Sequence, residues 1–266
     1  MAILIDDPGD PRIEAYRQVR ERDLVGRRGR FIVEGEVVLG AAVRRGRHPL
    51  DSVLVDEKRL DGLAPVLEDL DPDVPVYAAR QAVMDTVVGF HIHRGILAVG
   101  RKAPATEPRG LLAGVRGPAV VLALFGIGNH DNMGGLFRNA AAFGAAAVLL
   151  GTDCCDPLYR KAIRVSVGAA LTVPFAAFGP GDDPLEILGE AGFEALALSP
   201  AGHERLSQAA RPERAALLLG AEGPGLPPGL LARARTLSIP MAPGWDSLNV
   251  AVAGAVALHH LTAARS

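Results

Sequence analysis

Apolar and polar positions alternate in short blocks along the first 105 residues. Apolar runs at 31–33, 52–56, 75–77 and 95–100 predict strands, and stretches with helical spacing at 36–45, 61–69 and 80–86 predict helices. The Asp10-Pro11 pair predicts another helix start, because aspartate caps a first turn and proline fits the first helical position. Short strands separated by helices indicate a small α/β domain.

The second half of the chain has longer and more continuous apolar runs. Five predicted strands lie at 119–125, 145–151, 193–199, 215–220 and 235–240, with helical patterns between most of them and a last helix after Leu248. Continuous apolar runs are typical of parallel strands that are covered on both faces. We therefore expect a Rossmann-like parallel sheet, in which ligands bind beyond the carboxyl ends of the strands.

A segment without sustained periodicity separates the two patterns. Residues 101–118 contain three prolines and three glycines, which is typical of a linker. We expect a first domain over 1–105, a linker over 106–118 and a second domain over 119–266.

Composition excludes several classes of protein. The chain is 49% hydrophobic and 22% charged, which argues against disorder, and it has no apolar run approaching the ~18 residues of a membrane span. The start of the sequence lacks the pattern of a signal peptide. Cys154 and Cys155 are adjacent, which is poor geometry for a disulfide, and two cysteines are too few for a structural zinc site. We expect a cytoplasmic protein without a metal site.

The net charge of −2 conceals an uneven distribution of arginine. Seven arginines and only three acids lie between Arg12 and Arg30, and further arginines extend this basic segment to Arg47. The segment is either a solvated helix face with its exit loop or a patch that binds phosphates, since the arginine fork fits a phosphate group. Acids crowd residues 51–73, so we expect them on a face turned away from a nucleic acid.

The loop at 126–135 runs from a predicted strand into a helix and has the glycine spacing that begins a dinucleotide-binding fingerprint. The third glycine of that fingerprint would fall at Asp131, and a carboxylate there would repel a pyrophosphate. Nicotinamide-dependent oxidation is therefore a weak alternative.

Two more loops follow strands, at 220–225 and 239–249. Glu222 in the first could simply cap a helix, and Ser247 in the second could be an N-cap. Asn249 is harder to explain structurally, because a half-buried amide beside an apolar helix start needs hydrogen-bond partners.

Taken in order, these loops resemble the SpoU/TrmH family of RNA ribose 2′-O-methyltransferases in the SPOUT superfamily. The resemblance spans about 119 to 262, and more faintly 31–39 and 93–99 resemble the accessory substrate-binding domain of many members. It rests on Asn132, Gly134 and Arg138, on Lys161, Arg164, Ser166 and Gly168, on Gly220, Glu222 and Gly225, and on Ile239, Met241, Ser247 and Asn249. The chain departs from the family pattern at Asn129 and His130 and at 243–246, positions that bear on the shape of the loops and on RNA specificity more than on activity.

The resemblance implies a fold that pattern reasoning does not predict. It implies a second domain with a deep trefoil knot, a homodimer, and S-adenosylmethionine as cofactor, without a metal. The cofactor would lie against backbone at Gly220, Ile239, Met241 and Leu248.

The resemblance also implies catalytic residues. Arg138 matches the family's catalytic arginine, proposed there as a general base. A guanidinium is almost always protonated, so we favour a role in gripping the target phosphate and stabilising the developing alkoxide, with the proton leaving to phosphate or water. Asn132, Ser247 and Asn249 would fix the ribose and the loops, and Glu222 would orient Arg138 or a loop backbone. An RNA-binding or ribosome-assembly protein without catalysis is the main alternative to a methyltransferase of ribosomal RNA or tRNA.

Overall fold

The computed structural model describes residues 2–17, 29–89 and 94–263 and divides the chain into two compact units. The first unit contains Met1–Pro104 and Leu158–Thr172, and the second contains Ala105–Pro157 and Val173–Ser266. The expectation for Arg20 to Arg28 falls outside the described residues. No helix of the described ranges has both the length and the apolar character needed to span a membrane.

The first unit is built on a five-stranded mixed sheet. Its strands are β1 (Ile3–Ile5), β2 (Arg30–Glu34), β3 (Leu50–Asp56), β4 (Val76–Ala79) and β5 (Ile96–Arg101), in the spatial order β1-β4-β3-β5-β2. Strands β1, β3 and β4 are parallel, whereas β5 runs antiparallel to β3 and β2 runs antiparallel to β5. The helices are α1 (Glu36–Arg45), α2 (Leu60–Leu67) and α3 (Gln81–Val88).

The predicted helix start at Asp10 is present, but the helix is a short 3-10 helix over Pro11–Tyr16. The Asp10 side chain accepts a hydrogen bond from the Arg12 backbone amide, as expected for a cap. Ile13 and Tyr16 are buried, and the Tyr16 hydroxyl hydrogen-bonds Ser52 Oγ at 2.8 Å. Burial raises the pKa of Tyr16, so this phenol stays neutral. The N-terminal segment is thus part of the first core and not only a basic surface.

The first unit also includes α6 (Arg160–Val165) and α7 (Ala169–Thr172), which the sequence boundaries had placed with residues 119–266. A Cβ atom at Gly168 would lie 2.9 Å from Ala41 Cβ, so a glycine is needed where this segment meets α1. Arg160 adds an ion pair to Glu34 at 2.8 Å. Close packing and this ion pair explain why the segment groups with β2 and α1.

The second unit is built on a seven-stranded parallel sheet, which confirms the predicted α/β class. The strands are β6 (Ala119–Leu124), β7 (Ala147–Leu150), β8 (Phe175–Ala177), β9 (Glu194–Leu198), β10 (Glu204–Arg205), β11 (Arg214–Leu219) and β12 (Arg235–Ser238), in the order β10-β12-β9-β11-β6-β7-β8. All pairs are parallel, and β6, β7 and β11 are buried almost throughout. The trefoil knot stays a prediction.

Helices accompany this sheet: α4 (Pro108–Ala113), α5 (His130–Ala142), α8 (Pro184–Glu190), α9 (Pro228–Leu231) and α10 (Val250–Thr262). The first of them, α4, lies inside the segment expected to be a linker. Pro108 occupies its first turn and Leu112 is buried in the core, so these residues belong to the second unit.

Helices α5 and α10 pack closely side by side. A Cβ atom at Gly135 would lie 2.9 Å from Ala251 Cβ, and one at Gly254 would lie 2.9 Å from Leu136 Cδ2. Asn139 Nδ2 also donates to the Ala251 carbonyl oxygen at 2.7 Å. Small residues and this hydrogen bond hold the first part of α10 against the middle of α5.

Candidate active site

Loops after three parallel strands line one cavity of about 380 Å³ at the carboxyl edge of the second sheet. Seven of the residues predicted from the sequence lie in its wall: Gly220, Glu222, Ile239, Met241, Ser247, Leu248 and Asn249. The structure thereby brings together residues that are separated by up to 29 positions in the chain. This is the position at which a parallel sheet is expected to bind a ligand.

The glycines of the 220–225 loop are needed to close the loop on itself. A Cβ atom at Gly220 would lie 2.2 Å from the backbone carbon of Gly225, which no side chain could tolerate. The Gly225 amide donates to the Ala221 carbonyl oxygen at 3.0 Å, and Gly223 and Gly225 have φ angles of 89° and 72°. Glycine supplies both the positive φ and the close approach. The cavity wall is therefore mostly backbone at this point.

Three polar side chains from three loops are hydrogen-bonded to one another beside the cavity. Asn132 Nδ2 donates to Glu222 Oε1 at 2.6 Å. Asn249 Nδ2 donates to Asn132 Oδ1 at 2.8 Å and to Glu222 Oε1 at 3.1 Å. We call these residues the polar triad. Asn132 is buried, so its amide depends on these partners rather than on water.

Asn249 is also the N-cap of α10. Its Oδ1 atom accepts from the backbone amides of Ala251 at 2.9 Å and Val252 at 3.3 Å. Ser247 could have been the cap in a purely structural role, but it lies outside the helix and its hydroxyl donates to Asp246 Oδ1 at 3.3 Å. Because the cap fixes Asn249 Oδ1 on the helix, its Nδ2 atom points at the other two members of the triad.

The resemblance implied that Glu222 would orient Arg138 or a loop backbone. Within one chain Glu222 does not contact Arg138, and its hydrogen-bond partners are the two asparagine amides. Arg138 is exposed, is not in the cavity wall, and makes no hydrogen bond or ion pair with the described residues. It lies six residues after Asn132 on α5, on a different side of the helix from Asn139, which faces α10. The structure therefore does not bring the predicted catalytic arginine to the cavity of its own chain.

Sequence reasoning missed one part of the cavity wall, formed by Leu198, Ser199 and Pro200. Leu198 ends β9, and Ser199 and Pro200 follow it. This strand was predicted, so the rule that ligands bind at the carboxyl ends of strands could have identified these residues. They lack a distinctive motif, so nothing in their own sequence marks them as residues of a binding site.

The charge of the cavity disfavours an anionic ligand such as a pyrophosphate. Glu222 is the only charged side chain among the described residues of the wall. The start of α10 is already capped by Asn249, and the Asn129 side chain caps α5 by accepting from the Asp131 amide at 2.7 Å. These caps occupy first-turn amides that a phosphate would use, those of Ala251 and Val252 in α10 and that of Asp131 in α5, which further weakens the dinucleotide alternative.

Comparison with known proteins supplies the family. Residues 119–259 match the sequence profile of the SpoU rRNA Methylase family. This match spans more than half of the chain and contains every residue of the cavity wall. The chain belongs to the SpoU rRNA methylase family. The resemblance identified from the motifs is thus confirmed.

Relatives of this SpoU family member are similar over most of its length. An uncharacterised tRNA/rRNA methyltransferase of Mycobacterium bovis is 41% identical in an alignment that is 266 positions long. The alignment covers 96% of this chain and 90% of the relative. A 23S rRNA (guanosine-2′-O-)-methyltransferase of Ralstonia nicotianae is 32% identical over 182 residues, which cover 68% of this chain and 73% of the relative.

A solved structure shares the fold of the SpoU family member. The AdoMet-bound rRNA methyltransferase from Sinorhizobium meliloti superposes with a TM-score of 0.79, covering 98% of this chain and 97% of that chain at 20% identity. The similarity extends over both units.

Proposed function

We propose that this SpoU family member transfers a methyl group from S-adenosylmethionine to a ribose 2′-hydroxyl of RNA. The observation that carries the proposal is the polar triad at the cavity of a chain in this family. The reaction named for the Ralstonia relative supports a ribose hydroxyl as the acceptor, and the name of the Mycobacterium bovis relative leaves both ribosomal RNA and tRNA open as substrates.

The cavity suits the cofactor in size and in chemistry. Its volume of about 380 Å³ falls within the range of small-molecule sites. Leu198, Leu219 and Ile239 offer apolar surface for a purine and a thioether chain, and the backbone at Gly220, Met241 and Leu248 offers hydrogen bonds. The single carboxylate of the wall, Glu222, complements a cationic sulfonium. When bound, the cofactor supplies a methyl group that is already electrophilic.

The polar triad would position the acceptor ribose. Both amide donors use Glu222 Oε1, so Oε2 is available to accept from a hydroxyl group. The triad is held in one orientation, because both amide oxygens also accept hydrogen bonds. Asn132 Oδ1 accepts from Asn249 Nδ2, and Asn249 Oδ1 accepts from the backbone amide of Ala251. Such a rigid arrangement lowers the entropy lost when the hydroxyl is aligned with the methyl group. Ser247, exposed at the same wall, would contact the ribose or the neighbouring phosphate.

Arg138 would act on the phosphate of the target nucleotide. A guanidinium stays protonated at neutral pH, so it stabilises negative charge on phosphate and on the developing alkoxide instead of removing a proton. The proton then leaves to a phosphate oxygen or to water.

A second copy of the chain would complete this site. Leu248, Val252 and Val256 form an exposed apolar stripe on and beside α10, and Trp245 is 76% exposed next to it. Arg138 is exposed on α5, and α5 packs against α10, so an interface that covers both helices would include this arginine. Dimerisation through the stripe would bury these apolar side chains and place Arg138 at the interface.

The direct test is methyl transfer with the full chain. Ribosomal RNA and tRNA from cells lacking this gene would be incubated with the protein and radiolabelled S-adenosylmethionine, and ribose methylation would be mapped. We expect one 2′-O-methylated nucleotide that is absent without the protein. Tight binding of S-adenosylmethionine without transfer to either RNA pool would overturn the proposal and favour the RNA-binding protein without catalysis.

A further inference from the structure

The single tryptophan of the chain is held on a tight turn beside the cavity. Ala242, Pro243, Gly244 and Trp245 form this turn, in which the Trp245 amide donates to the Ala242 carbonyl oxygen at 3.2 Å and Gly244 has a φ of 87°. Proline in the second position and a positive φ in the third are typical of a type II turn. The turn therefore fixes the backbone that carries Trp245.

The indole of Trp245 is strongly exposed. The residue is 76% exposed, and its side chain makes no hydrogen bond or ring contact with the described part of the chain. One exposed apolar residue on a protein surface is common. A large aromatic side chain on a rigid turn is more unusual, because tryptophan and tyrosine are enriched where a protein meets a ligand or a partner.

Trp245 lies in the chain between two residues of the cavity wall. Met241 and Ser247 line the cavity on either side of the turn, whereas Trp245 is not in the wall. Two residues of extended chain span at most about 7 Å, so the Cα atoms of Trp245 and Ser247 are no further apart than that. A cofactor enclosed in the cavity would not reach the indole. A substrate that arrives from solvent at Ser247 would.

We infer that Trp245 stacks on the base of the nucleotide whose ribose is methylated. The inference rests on the proposed function, which brings that ribose to the polar triad and to Ser247. Because the base is bonded directly to the ribose, it comes within reach of an indole two residues from Ser247. Proteins commonly hold an unpaired RNA base by stacking it on an aromatic side chain. Stacking tolerates every base, so Trp245 contributes affinity and alignment and does not select the base.

The carboxylate next to the indole favours a base over a phosphate at this point. Asp246 is exposed, and its Oδ1 atom accepts from the Ser247 hydroxyl at 3.3 Å. Its negative charge repels the sugar-phosphate backbone, whereas an uncharged base can stack beside it.

A second copy of the chain is the competing occupant of this surface. Leu248, Val252 and Val256 of the apolar stripe are spaced by four residues, whereas Trp245 precedes α10 and has an exposed carboxylate beside it at Asp246. The core of a protein interface is depleted of charged residues. The turn therefore fits the rim of a dimer formed through the stripe, where the indole stays accessible to RNA.

Three substitutions of Trp245 separate stacking from simple apolar contact. Trp245→Phe keeps an aromatic face, Trp245→Leu keeps an apolar side chain without one, and Trp245→Ala removes both. Leu4→Ala is the control, because Leu4 is 56% exposed and lies in the first unit, outside the cavity wall. Initial rates of methyl transfer to ribosomal RNA and tRNA would give kcat and the two KM values of each full-length variant.

We expect Trp245→Ala and Trp245→Leu to raise the KM for RNA about tenfold, and Trp245→Phe to raise it by less than about threefold. The kcat and the KM for S-adenosylmethionine should stay unchanged, because stacking holds the RNA equally in the ground state and the transition state. Leu4→Ala should match the original chain. An unchanged KM for RNA in Trp245→Ala, or full retention of affinity in Trp245→Leu, would overturn the inference while leaving the proposed activity intact.

Sedimentation velocity on the same variants tests the competing occupant. We expect the oligomeric state to be the same with tryptophan, leucine or alanine at position 245. Dissociation of Trp245→Ala at concentrations where the original chain stays associated would assign the indole to contact between copies and would overturn the inference.

Tryptophan fluorescence gives a readout that needs no methyl transfer, because Trp245 is the only tryptophan. The protein would be titrated with an RNA hairpin that has an adenosine loop and with the same hairpin carrying abasic sites in the loop, while filter retention measures binding. We expect the adenosine loop to quench the emission and the abasic loop to leave it unchanged at equal occupancy. Equal emission with both bound hairpins, or no binding of either, would overturn the inference. Quenching by the adenosine loop without methyl transfer to any RNA would overturn the proposed activity and support stacking.

Discussion

The amide of Asn132 lies 2.6 Å from the carboxylate of Glu222, although 90 positions separate the two residues in the chain. Asn132 belongs to the first turn of α5, whereas Glu222 belongs to a glycine-rich loop after β11. Asn249, from a third loop, bonds to both. The triad therefore depends on the relative position of three separate loops, and Asn132 can be replaced without changing a residue of the cavity wall.

Asn132→Ala should reduce methyl transfer by about 100-fold, because Glu222 and Asn249 lose the partner that orients them. The affinity for S-adenosylmethionine should stay within about threefold, since Asn132 does not line the cavity. Initial rates and calorimetric titration would measure the two quantities.

Asn139→Ala is the matched control for Asn132→Ala. Asn139 lies on the same helix and also hydrogen-bonds a neighbouring element, but its partner is the backbone of α10 and not the triad. It should lower the free energy of unfolding by about 1 kcal/mol and leave turnover nearly intact. Equal losses of turnover in both variants would mean that helix packing, and not the triad, limits the reaction.

Arg138→Ala should abolish detectable methyl transfer while retaining S-adenosylmethionine affinity. The reason is geometric: Arg138 is exposed and absent from the cavity wall, so it has no contact with the cofactor to lose. Arg138→Lys should recover only a small part of the rate, because lysine lacks the planar fork that binds phosphate bidentately. Near-normal turnover in Arg138→Ala would remove this residue from the mechanism.

Much of the fold could be predicted from the sequence, for reasons that are local. Helix α1 has apolar residues at helical spacing and a glycine immediately after Arg45, and its bounds were predicted correctly. Strands β8 and β10 were not predicted, because strands of three and two residues carry too little periodicity and exist only by pairing with a longer neighbour.

The candidate site shows the same division between local and tertiary information. The motif loops were correctly expected after strand ends, because that rule depends only on the order of elements. Serine and asparagine both cap helices well, so the sequence allowed Ser247 as the N-cap of α10, whereas the structure has Asn249 there. The hydrogen bonds to Asn132 and Glu222, which hold the amide of Asn249, form only in the folded chain.

Gly220→Ala should prevent cofactor binding. The added methyl group would lie 2.2 Å from the backbone of Gly225, so the loop that forms the cavity wall would have to move. Gly229→Ala is the control, because a Cβ atom there meets nothing within 4 Å and its residue lies in α9, where alanine is favourable. Calorimetry should show loss of S-adenosylmethionine binding for the first variant only. Retained affinity in Gly220→Ala would mean that this loop does not contact the cofactor.

Val167 is the only non-glycine residue with a positive φ in the described part of the chain, at 55°. A β-branched residue is strained in this conformation, and Val167 is 37% exposed, so its side chain is only partly buried. Val167→Gly should therefore raise the free energy of unfolding slightly, by up to about 1 kcal/mol, which is the strain relieved minus both the entropy that glycine adds to the unfolded chain and the burial of the valine side chain that is lost. Val165→Gly, two residues earlier inside α6, should lower it by about the same amount, because glycine is a poor helix former. Urea unfolding followed by circular dichroism would compare the two, and destabilisation by both variants would show that Val167 is held by favourable contacts and not under strain.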